Sequence, residues 1–514
     1  MSFPGLLSAG ILSAAVPAQV EELPHVVEPT IVWVAIAYFA IVTVIGAWAT
    51  RRTRTAGDFF LAGKGIGLIA LSLSVMSATL SGFTFIGGPG LVYSIGLGAM
   101  FIVLPAALTN AMGAWALAKR LRLMAEVRRT ITLPDAIGAR YRSPLAQGLA
   151  GVSILVAVIG YMATNILALG LVIDAVFGIG VGWGIWLGMG ITMAYAVGGG
   201  IVAGIYTDVF QGSLMAVASV LVFLFTLQAG GGLSGISETI LAADPGFLGP
   251  WGHLTPIAAL SFFFVFGMGS LGQPHVIHKF YMLRDPLKLR WYPLVTTFAL
   301  IVAMLLYFGV GVAVKALTVE GALDPLTNPD NATPIFLLNY TPLILAALVF
   351  SGVAAAIMST VNSFMNIGAA AMMHDIPVSL GKRIDNELLW GRICTVVISV
   401  AAALLAQHSG MLVAFLGVFG WGLFASTLVP ALAIGLNWKG ATRAGAIASI
   451  GTGLAITLVF ETLAFFELYS FPVGVTVSGL SLVLSILIFF GVSWLSRETA
   501  ADTLDPDIRV VMEA

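Results

Sequence analysis

The chain has 514 residues, of which 59% are hydrophobic and only 9% are charged, with a mean hydropathy of +1.02. Soluble domains are about a quarter charged, so this composition excludes a soluble protein and leaves no stretch long enough for a separate soluble domain. The net charge of −1 gives no electrostatic signal for a nucleic-acid partner, and we expect none. The only cysteine, Cys394, excludes an intramolecular disulfide.

The first segment, residues 1–29, carries no Lys or Arg. Its apolar stretch from Leu6 to Pro17 therefore lacks the basic start of a signal peptide. We expect an extracytoplasmic leader and leave open whether it is cleaved. In either case the first membrane span enters from the outside.

Apolar stretches of about 20 residues, the length that crosses a bilayer, number about thirteen. We therefore expect an all-α polytopic membrane protein with about thirteen transmembrane helices. The predicted spans lie near residues 30–50, 66–94, 97–118, 146–174, 178–198, 201–228, 256–283, 289–315, 337–373, 389–407, 410–437, 442–463 and 471–495.

The basic residues fix the predicted orientation. With the N-terminus outside, alternation of the spans places every one of the 23 Lys and Arg residues except Lys315 on the cytoplasmic side, as the positive-inside rule demands. A shift by one span in the middle would destroy this agreement. We therefore expect a multi-pass protein of the plasma (inner) membrane with a cytoplasmic tail at 496–514.

A glycine-proline pattern, G-x4-G-x-P, occurs twice, from Gly82 to Pro89 and from Gly267 to Pro274. Transmembrane helices tolerate Gly and Pro in general. A broken helix, however, survives in a bilayer only where it lines a cavity or is buried in protein. Matching breaks in two halves of a chain are typical of the central binding site of a transporter.

Several motifs resemble those of the sodium:solute symporter family. Residues 58–64 read DFFLAGK, residues 133–135 read LPD, and residues 198–211 read GGGIVAGIYTDVFQ, which is similar to the family signature except that Tyr206 replaces a Trp. Residues 272–275, GQPH, and residues 355–360, AAIMST, resemble the proline symporter branch more than the sugar branch. The similar motifs run through most of the chain.

The resemblance implies a LeuT-like fold, in which two inverted repeats of five helices are related by an axis in the membrane plane. The repeats would cover 66–228 and 256–437, with one extra N-terminal span at 30–50 and two extra C-terminal spans within 442–495. It also implies sodium-coupled import of a small organic solute by alternating access. Sodium, the solute and the bilayer are the expected partners; the oligomeric state stays open.

Sodium is a hard cation that takes oxygen ligands. Ala356, Ser359 and Thr360 share one helix face at i, i+3, i+4. By spacing alone, such hydroxyls more often bond to backbone. The resemblance makes them a sodium site and adds the carbonyl groups of Ser77 and Leu80 as the remaining ligands.

Asp208 lies within the sixth predicted span, where a carboxylate costs about 2.5–3.5 kcal/mol and needs a cation or a proton. The sequence places no Lys or Arg at that depth. The resemblance implies a second sodium held by Asp208, Asn362 and Ser363. Proton coupling through Asp208, or a role for Asp208 as a hydrogen-bond acceptor that closes a gate, stays open beside it.

The substrate residues that the resemblance implies lie where the two breaks would cross. They are Ser81, Gly82, Tyr161, Phe266, Ser270, Gln273 and Pro274. Helix packing is the alternative for the aromatic side chains, and for Phe266 it is the stronger one. No basic side chain is expected in the core, which favours an amino-acid-like zwitterion or a monocarboxylate over a dianion. Sodium-coupled transport of a sugar or vitamin is the alternative.

Two histidine features carry less weight. His275 and His278 share a helix face, but two ligands without a carboxylate or thiolate are weak grounds for a metal, and both are interpreted as structural. His374 and Asp375 are interpreted as a solvated helix end. Sodium is the only metal expected.

Two other function classes are alternatives to a transporter. An intramembrane enzyme needs a nucleophile with a base, or a metal triad, at bilayer depth, and the sequence displays neither. A channel usually displays repeated filter loops or rings of one residue type, which are also missing from the sequence. We therefore predict a symporter that is not an enzyme, using one or two sodium ions.

Overall fold

The computed structural model describes residues 28–51, 53–55, 59–60, 66–79, 81–285, 291–409, 413–466, 468–469, 471, 475–497 and 504–513. Helices make up almost all of this part. They are α1 Pro29–Thr50, α2 Leu68–Thr79, α3 Gly88–Ile95, α4 Met100–Gly113, α5 Lys119–Val127, α6 Leu133–Tyr141, α7 Pro144–Phe177, α8 Val181–Ala229, α9 Gly232–Ala243, α10 Pro256–Gly269, α11 Pro274–Ile277, α12 Tyr292–Val319, α13 Ala332–Tyr340, α14 Leu343–Ala370, α15 Ile376–Ser379, α16 Glu387–His408, α17 Val413–Leu428, α18 Arg443–Phe465, α19 Val477–Leu495 and α20 Pro506–Glu513. The all-α fold class is confirmed.

Twelve stretches within the described residues are long and apolar enough to cross a membrane. The prediction of thirteen is not confirmed as a number, because the stretch from Phe83 to Val127 runs on as one and α2 has only 12 residues. Gly96, at φ 69° and ψ −150°, interrupts that stretch between α3 and α4. The predicted span 337–373 also starts too early, since α13 ends at Tyr340 and the spanning helix α14 begins at Leu343.

Two helices form the centre of the molecule. In both α7 and α14, 89% of the most apolar 18-residue window is buried. A helix that is apolar all round lies either inside a protein or in a membrane. By contrast, α1 and α18 are only 28% buried over their own most apolar stretches and keep apolar residues exposed. This exposed apolar surface is what a lipid-facing helix requires.

The sequence signals for helix ends act as expected around α6 and α7. The Thr132 hydroxyl accepts a hydrogen bond from the Asp135 backbone N–H at 3.1 Å, and Ser143 does the same for Ala146 at 3.2 Å. Such capping satisfies amides that have no partner in the first helical turn. The LPD motif therefore begins a short helix that leads into the central α7.

The glycine triplet at 198–200 divides α8 into two spans. Gly200 has φ 54° and ψ −144°, which L side chains rarely adopt. A Cβ at this position would also lie 2.6 Å from the ring of Phe59. The kink separates the stretch 181–198 from the stretch 200–229, as the predicted spans required.

The tail helix α20 packs against the helix α5. Arg120 Nε donates to the carbonyl oxygen of Met512 at 3.2 Å, and Arg128 forms an ion pair with Asp507 at 2.9 Å. Val511 is 1% exposed. The described end of the predicted tail is therefore a docked helix.

Residues 330–333, at the start of α13, contact two other parts of the chain. Thr333 Oγ1 donates to the carbonyl oxygen of Phe85 at 2.7 Å, and the carboxylate of Asp330 accepts from the backbone N–H of Val413 at 2.9 Å. Asp330 is 3% exposed, and burial raises the pKa of its carboxyl to about 6. The segment therefore links the helix after the first break to the start of α17 through a titratable contact.

We expect Asp330→Asn to alter the pH dependence of stability. The folded protein binds the Asp330 proton more tightly than the unfolded chain, in which the pKa of Asp is about 3.9. The carboxyl therefore stabilises the fold fully below about pH 4, and this contribution, at most about 3 kcal/mol, is lost as the pH rises through about 6. Melting temperatures of the purified protein between pH 4 and pH 8 test this. Equal pH dependence in the variant and the natural protein would contradict it.

Candidate functional site: two helix breaks and a buried cation cluster

The first break lies between the end of α2 at Thr79 and Gly82. Ser81 is not helical, and a π-helical turn at Phe83–Gly87 follows before α3. The N–H of Gly82 donates to the Asn165 side chain on α7 at 2.9 Å. A Cβ at Gly82 would lie 2.6 Å from Ala168, so only glycine fits here. The central helix thus supplies a partner for an amide that the break releases.

The second break lies at Gln273. The helix α10 ends at Gly269, a 3₁₀ turn covers Ser270–Gly272, and Gln273 is extended at φ −76° and ψ 106° before Pro274 begins α11. The Gln273 Nε2 group donates to the carbonyl oxygens of Gly269 at 3.0 Å and Trp421 at 3.4 Å. Its Oε1 atom is buried and has no hydrogen-bond partner.

Aromatic rings connect the two breaks. Phe266, just before the second break, stacks on Phe83, just after the first, with ring centroids 5.9 Å apart. Its ring also stacks on Trp421 of α17 at 5.1 Å. Tyr161 of α7 lies beside the same Trp421 ring at 6.4 Å. The two broken helices therefore meet, as the sequence pattern predicted.

The hydroxyl of Ser270, a predicted pocket residue, is hydrogen-bonded to the backbone. Its Oγ donates to the carbonyl oxygen of Phe266 at 2.9 Å and lies 3.3 Å from that of Ala106. Ser270 is 3% exposed. Helix packing, the alternative interpretation of Phe266, also agrees with the contacts of its ring with Phe83 and Trp421.

Thr360, one of the predicted sodium residues, contacts the helix before the first break, whereas the hydroxyl of Ser359 bonds to Asp208. Thr360 Oγ1 lies 3.1 Å from the carbonyl oxygens of both Ala78 on α2 and Ala356 on α14. Ser77 is fully buried, and its hydroxyl points to the sulfur of Met215 at 4.0 Å. Leu80 lies outside the described residues. The contact brings two helices and three oxygen atoms together.

Asp208 has a basic partner that the sequence analysis did not anticipate. Lys279 Nζ donates to the Asp208 carboxylate at 3.0 Å and to the hydroxyl and carbonyl oxygens of Ser74 at 2.8 Å. The hydroxyls of Ser74 and Ser359 also donate to this carboxylate. Lys279 is 1% exposed. The expectation that no basic side chain reaches this depth is therefore wrong.

The other two residues of the predicted second sodium site lie close by. Asn362 faces Gly204, one turn before Asp208 on α8, because a Cβ at Gly204 would lie 2.2 Å from Asn362 Nδ2. That Nδ2 group is buried without a partner. Ser363 is 2% exposed on the same helix, α14. Neither side chain forms a hydrogen bond to Asp208 in this structure, so the second site stays a prediction.

The interpretation of His374 and Asp375 as a solvated helix end is wrong. Asp375 is 1% exposed and accepts a hydrogen bond from Thr132 Oγ1 at 2.5 Å. His374 Nε2 lies 3.1 Å from the carboxylate of Asp135. The LPD motif is thus tied to the end of α14. The three ligand groups of Asp135, His374 and Asp375 lie within 4.8 Å of one another, but they already pair with neighbouring side chains.

Sequence reasoning missed four residues of this site: Ser74, Ala78, Lys279 and Trp421. Lys279 lay inside the predicted span 256–283 but was counted as a cytoplasmic end charge. The first three lie within a turn or two of a residue that had been singled out. Trp421, from a distant span, carried no local signal.

The fold and the site together define a multi-pass membrane protein whose two broken helices meet around buried oxygen atoms, an arrangement typical of secondary transporters. The sodium:solute symporter family model matches residues 59–453. The chain is 28% identical to the high-affinity proline transporter PutP of Bacillus subtilis (strain 168), over 81% of this chain and 89% of that protein. It is also 28% identical to the sodium/pantothenate symporter of Escherichia coli (strain K12), over 88% and 94% of the two chains.

A solved structure agrees with this result. The substrate-bound, outward-open sialic acid symporter, which is Na⁺-coupled, superimposes with a TM-score of 0.74 at 20% identity and covers 92% of this chain and 98% of its own. At this identity the likeness shows the fold alone, which is LeuT-like. The chain belongs to the sodium:solute symporter family. It is therefore a sodium-coupled symporter of a small solute and not an enzyme.

We expect Asn165→Leu to destabilise the folded protein at the first break. This change removes the acceptor of the Gly82 N–H at similar side-chain volume, and an unsatisfied buried amide costs about 1–3 kcal/mol. The melting temperature of the purified protein should fall by several degrees. Asn339→Leu is the matched control, since the Asn339 side chain is exposed and donates only to its own helix at Ile335. Equal melting of the two variants would refute this role of Asn165.

Proposed function

We propose that the protein imports an amino-acid-like zwitterion or a monocarboxylate, held between the two breaks, together with sodium bound at Ser77, Leu80, Ala356, Ser359 and Thr360. The observation that carries this proposal is the meeting of the two breaks through Phe83 and Phe266, together with the Thr360 contact beside the first break and the unpartnered oxygen of Gln273 at the second. Ser81, Gly82, Tyr161, Phe266, Ser270 and Pro274 complete the proposed substrate region.

Gln273 supports a solute that carries an N–H donor. Its Nε2 group is occupied by two backbone carbonyl oxygens, which leaves Oε1 as a buried acceptor without a partner. An unsatisfied buried acceptor costs free energy, which a bound donor recovers. The ammonium or imino group of a zwitterion is such a donor. We assign this contact to Gln273.

The charge of the site supports a solute with no more than one negative charge. The ammonium of Lys279 is neutralised by Asp208 at 3.0 Å. An anionic group of the solute would therefore rely on backbone N–H groups and helix N-termini at the breaks. A monocarboxylate or the carboxylate of a zwitterion fits this supply better than a dianion.

The named relatives are consistent with this solute class. One transports proline and another pantothenate, and both solutes carry a single carboxylate. Phe266 lies between two rings rather than opening a wide pocket, which limits the space beside the second break. A flat or compact solute suits this surrounding better than a large one.

The sodium site supports coupling because its ligands come from different elements. Thr360 and Ala356 belong to the central α14, whereas Ser77 lies on α2 before the first break, beside the Ala78 carbonyl that contacts Thr360. An ion bound to these oxygens would hold the broken helix against α14, and its release would let the two separate. We propose that sodium bound in this way stabilises one conformation of the alternating-access cycle. In this proposal, residues 66–228 and 256–437 are the two inverted repeats.

We also propose that the N-terminus is outside and the tail cytoplasmic. The basic residues support this orientation. In it, the segment with Asp330 is external, and the contacts among Asp135, His374 and Asp375 lie on the cytoplasmic side. These two sets of contacts are then suited to close the outer and inner ends of the site.

We expect Thr360→Val to weaken sodium binding. The change keeps the shape and removes one oxygen ligand, which should raise the sodium concentration for half-maximal effect about tenfold, equivalent to about 1.4 kcal/mol. Thermal stabilisation of the purified protein by NaCl, with choline chloride as the reference, measures this without a solute. Ser351→Ala on the same helix is the control, because its hydroxyl donates only to Ala347. An unchanged sodium response in Thr360→Val would remove this site assignment.

A competition screen in proteoliposomes should identify the solute class. With an inward sodium gradient, amino acids and monocarboxylates should be taken up, whereas sugars and dicarboxylates should not. Gln273→Leu should reduce uptake of zwitterions at least tenfold, since it removes a buried hydrogen bond to a charged group. Gln407→Leu, at an exposed pair with Trp186, is the control. Uptake driven by a proton gradient without sodium would contradict the proposed function.

A further inference from the structure

Lys279 is a buried charge that the proposed function leaves unused. It follows the second break, five residues after Pro274 begins α11, and its side chain is 1% exposed. Burying an ammonium is costly unless it is paired and hydrogen-bonded. Lys279 meets this requirement with one carboxylate and two oxygens of Ser74.

The groups around the Asp208 carboxylate are arranged as they would be around a bound monovalent cation. The carboxylate faces hydroxyls from α2, at Ser74, and from α14, at Ser359, and the third partner is the ammonium of Lys279. Oxygen atoms from several helices around a single positive charge are what a buried sodium requires. Here the charge at that position belongs to the chain itself.

We propose that Lys279 permanently supplies the cation of the Asp208 site, so that sodium binds only at the Thr360 site and the protein binds one sodium ion. The inference rests on the proposed sodium site. A sodium ion at Asp208 would share the carboxylate with an ammonium and would meet its repulsion. It would also have to displace donors from both carboxylate oxygens.

The other groups around the pair do not supply a compensating negative charge. Tyr38 and Tyr195 lie close enough to Asp208, and His275 and His278 lie close enough to Lys279, to interact with these charges. Tyrosine and histidine add no negative charge at neutral pH. Within the described residues, Lys279 and Asp208 therefore form a pair with no net charge, and a second cation gains little by entering.

The Thr360 site differs in its electrostatics. Its described oxygens are two backbone carbonyls and one hydroxyl, all uncharged. It adjoins the Asp208 site in sequence, since Ser359 precedes Thr360 and Ser74 lies one turn before Ala78. Lys279 bonds directly to Ser74 on α2 and is linked to Ser359 on α14 through the Asp208 carboxylate.

Equilibrium binding of radioactive sodium to the purified protein tests this inference without a solute. We expect one ion per chain in the natural protein and one in Lys279→Arg, which keeps the charge. Lys279→Gln removes the resident cation and leaves Asp208 with Ser74 and Ser359, so it should bind two ions. Asp208→Asn combined with Lys279→Gln removes both charges and should return the number to one.

The outcomes separate this inference from the proposed function. Two ions per chain in the natural protein, or one ion in a folded Lys279→Gln variant, would overturn the role of Lys279 while leaving the sodium site intact. No sodium binding in the natural protein, or full binding in Thr360→Val, would instead overturn the proposed sodium site. If Lys279→Gln fails to fold, the number of ions in the natural protein still decides.

Discussion

The structure depends on one constraint: a helix that breaks within a membrane releases amide and carbonyl groups that only protein or cargo can satisfy. At the first break the Asn165 side chain accepts from Gly82, and at the second the Gln273 side chain bonds to two carbonyl oxygens. These partners keep the breaks stable while leaving a few polar atoms free. The largely buried α7 and α14 surround these atoms.

The buried charges follow the same rule. Asp208 and Lys279 come from parts of the chain on either side of the second break, and each satisfies the other within a cluster of hydroxyls. Their neutral pair lies next to the uncharged oxygens of Thr360 and its neighbours. In the proposed function, the arrangement would separate a fixed cation from an exchangeable one, and a transporter that couples solute movement to sodium needs the second kind.

The sequence predicted the fold class, the positions of most spans and both helix breaks, because apolar length and glycine-proline patterns are local signals. It also indicated Thr360 and Ala356, whose oxygens meet Ala78 in the structure. It could not predict the partner of Asp208, since Lys279 lies beyond a break and its direction depends on the fold. The same reason explains the error at Asp375, which looked solvated in the sequence but is buried against the LPD motif.

The central claim is that one site between the two breaks holds both the solute and a sodium ion. A high-resolution experimental structure with sodium and the solute found by uptake tests it most directly. We expect ion density bounded by the oxygens of Ala356 and Thr360, and solute density within hydrogen-bond distance of Gln273 Oε1. Solute density far from both breaks, with that oxygen still unpartnered, would contradict the account.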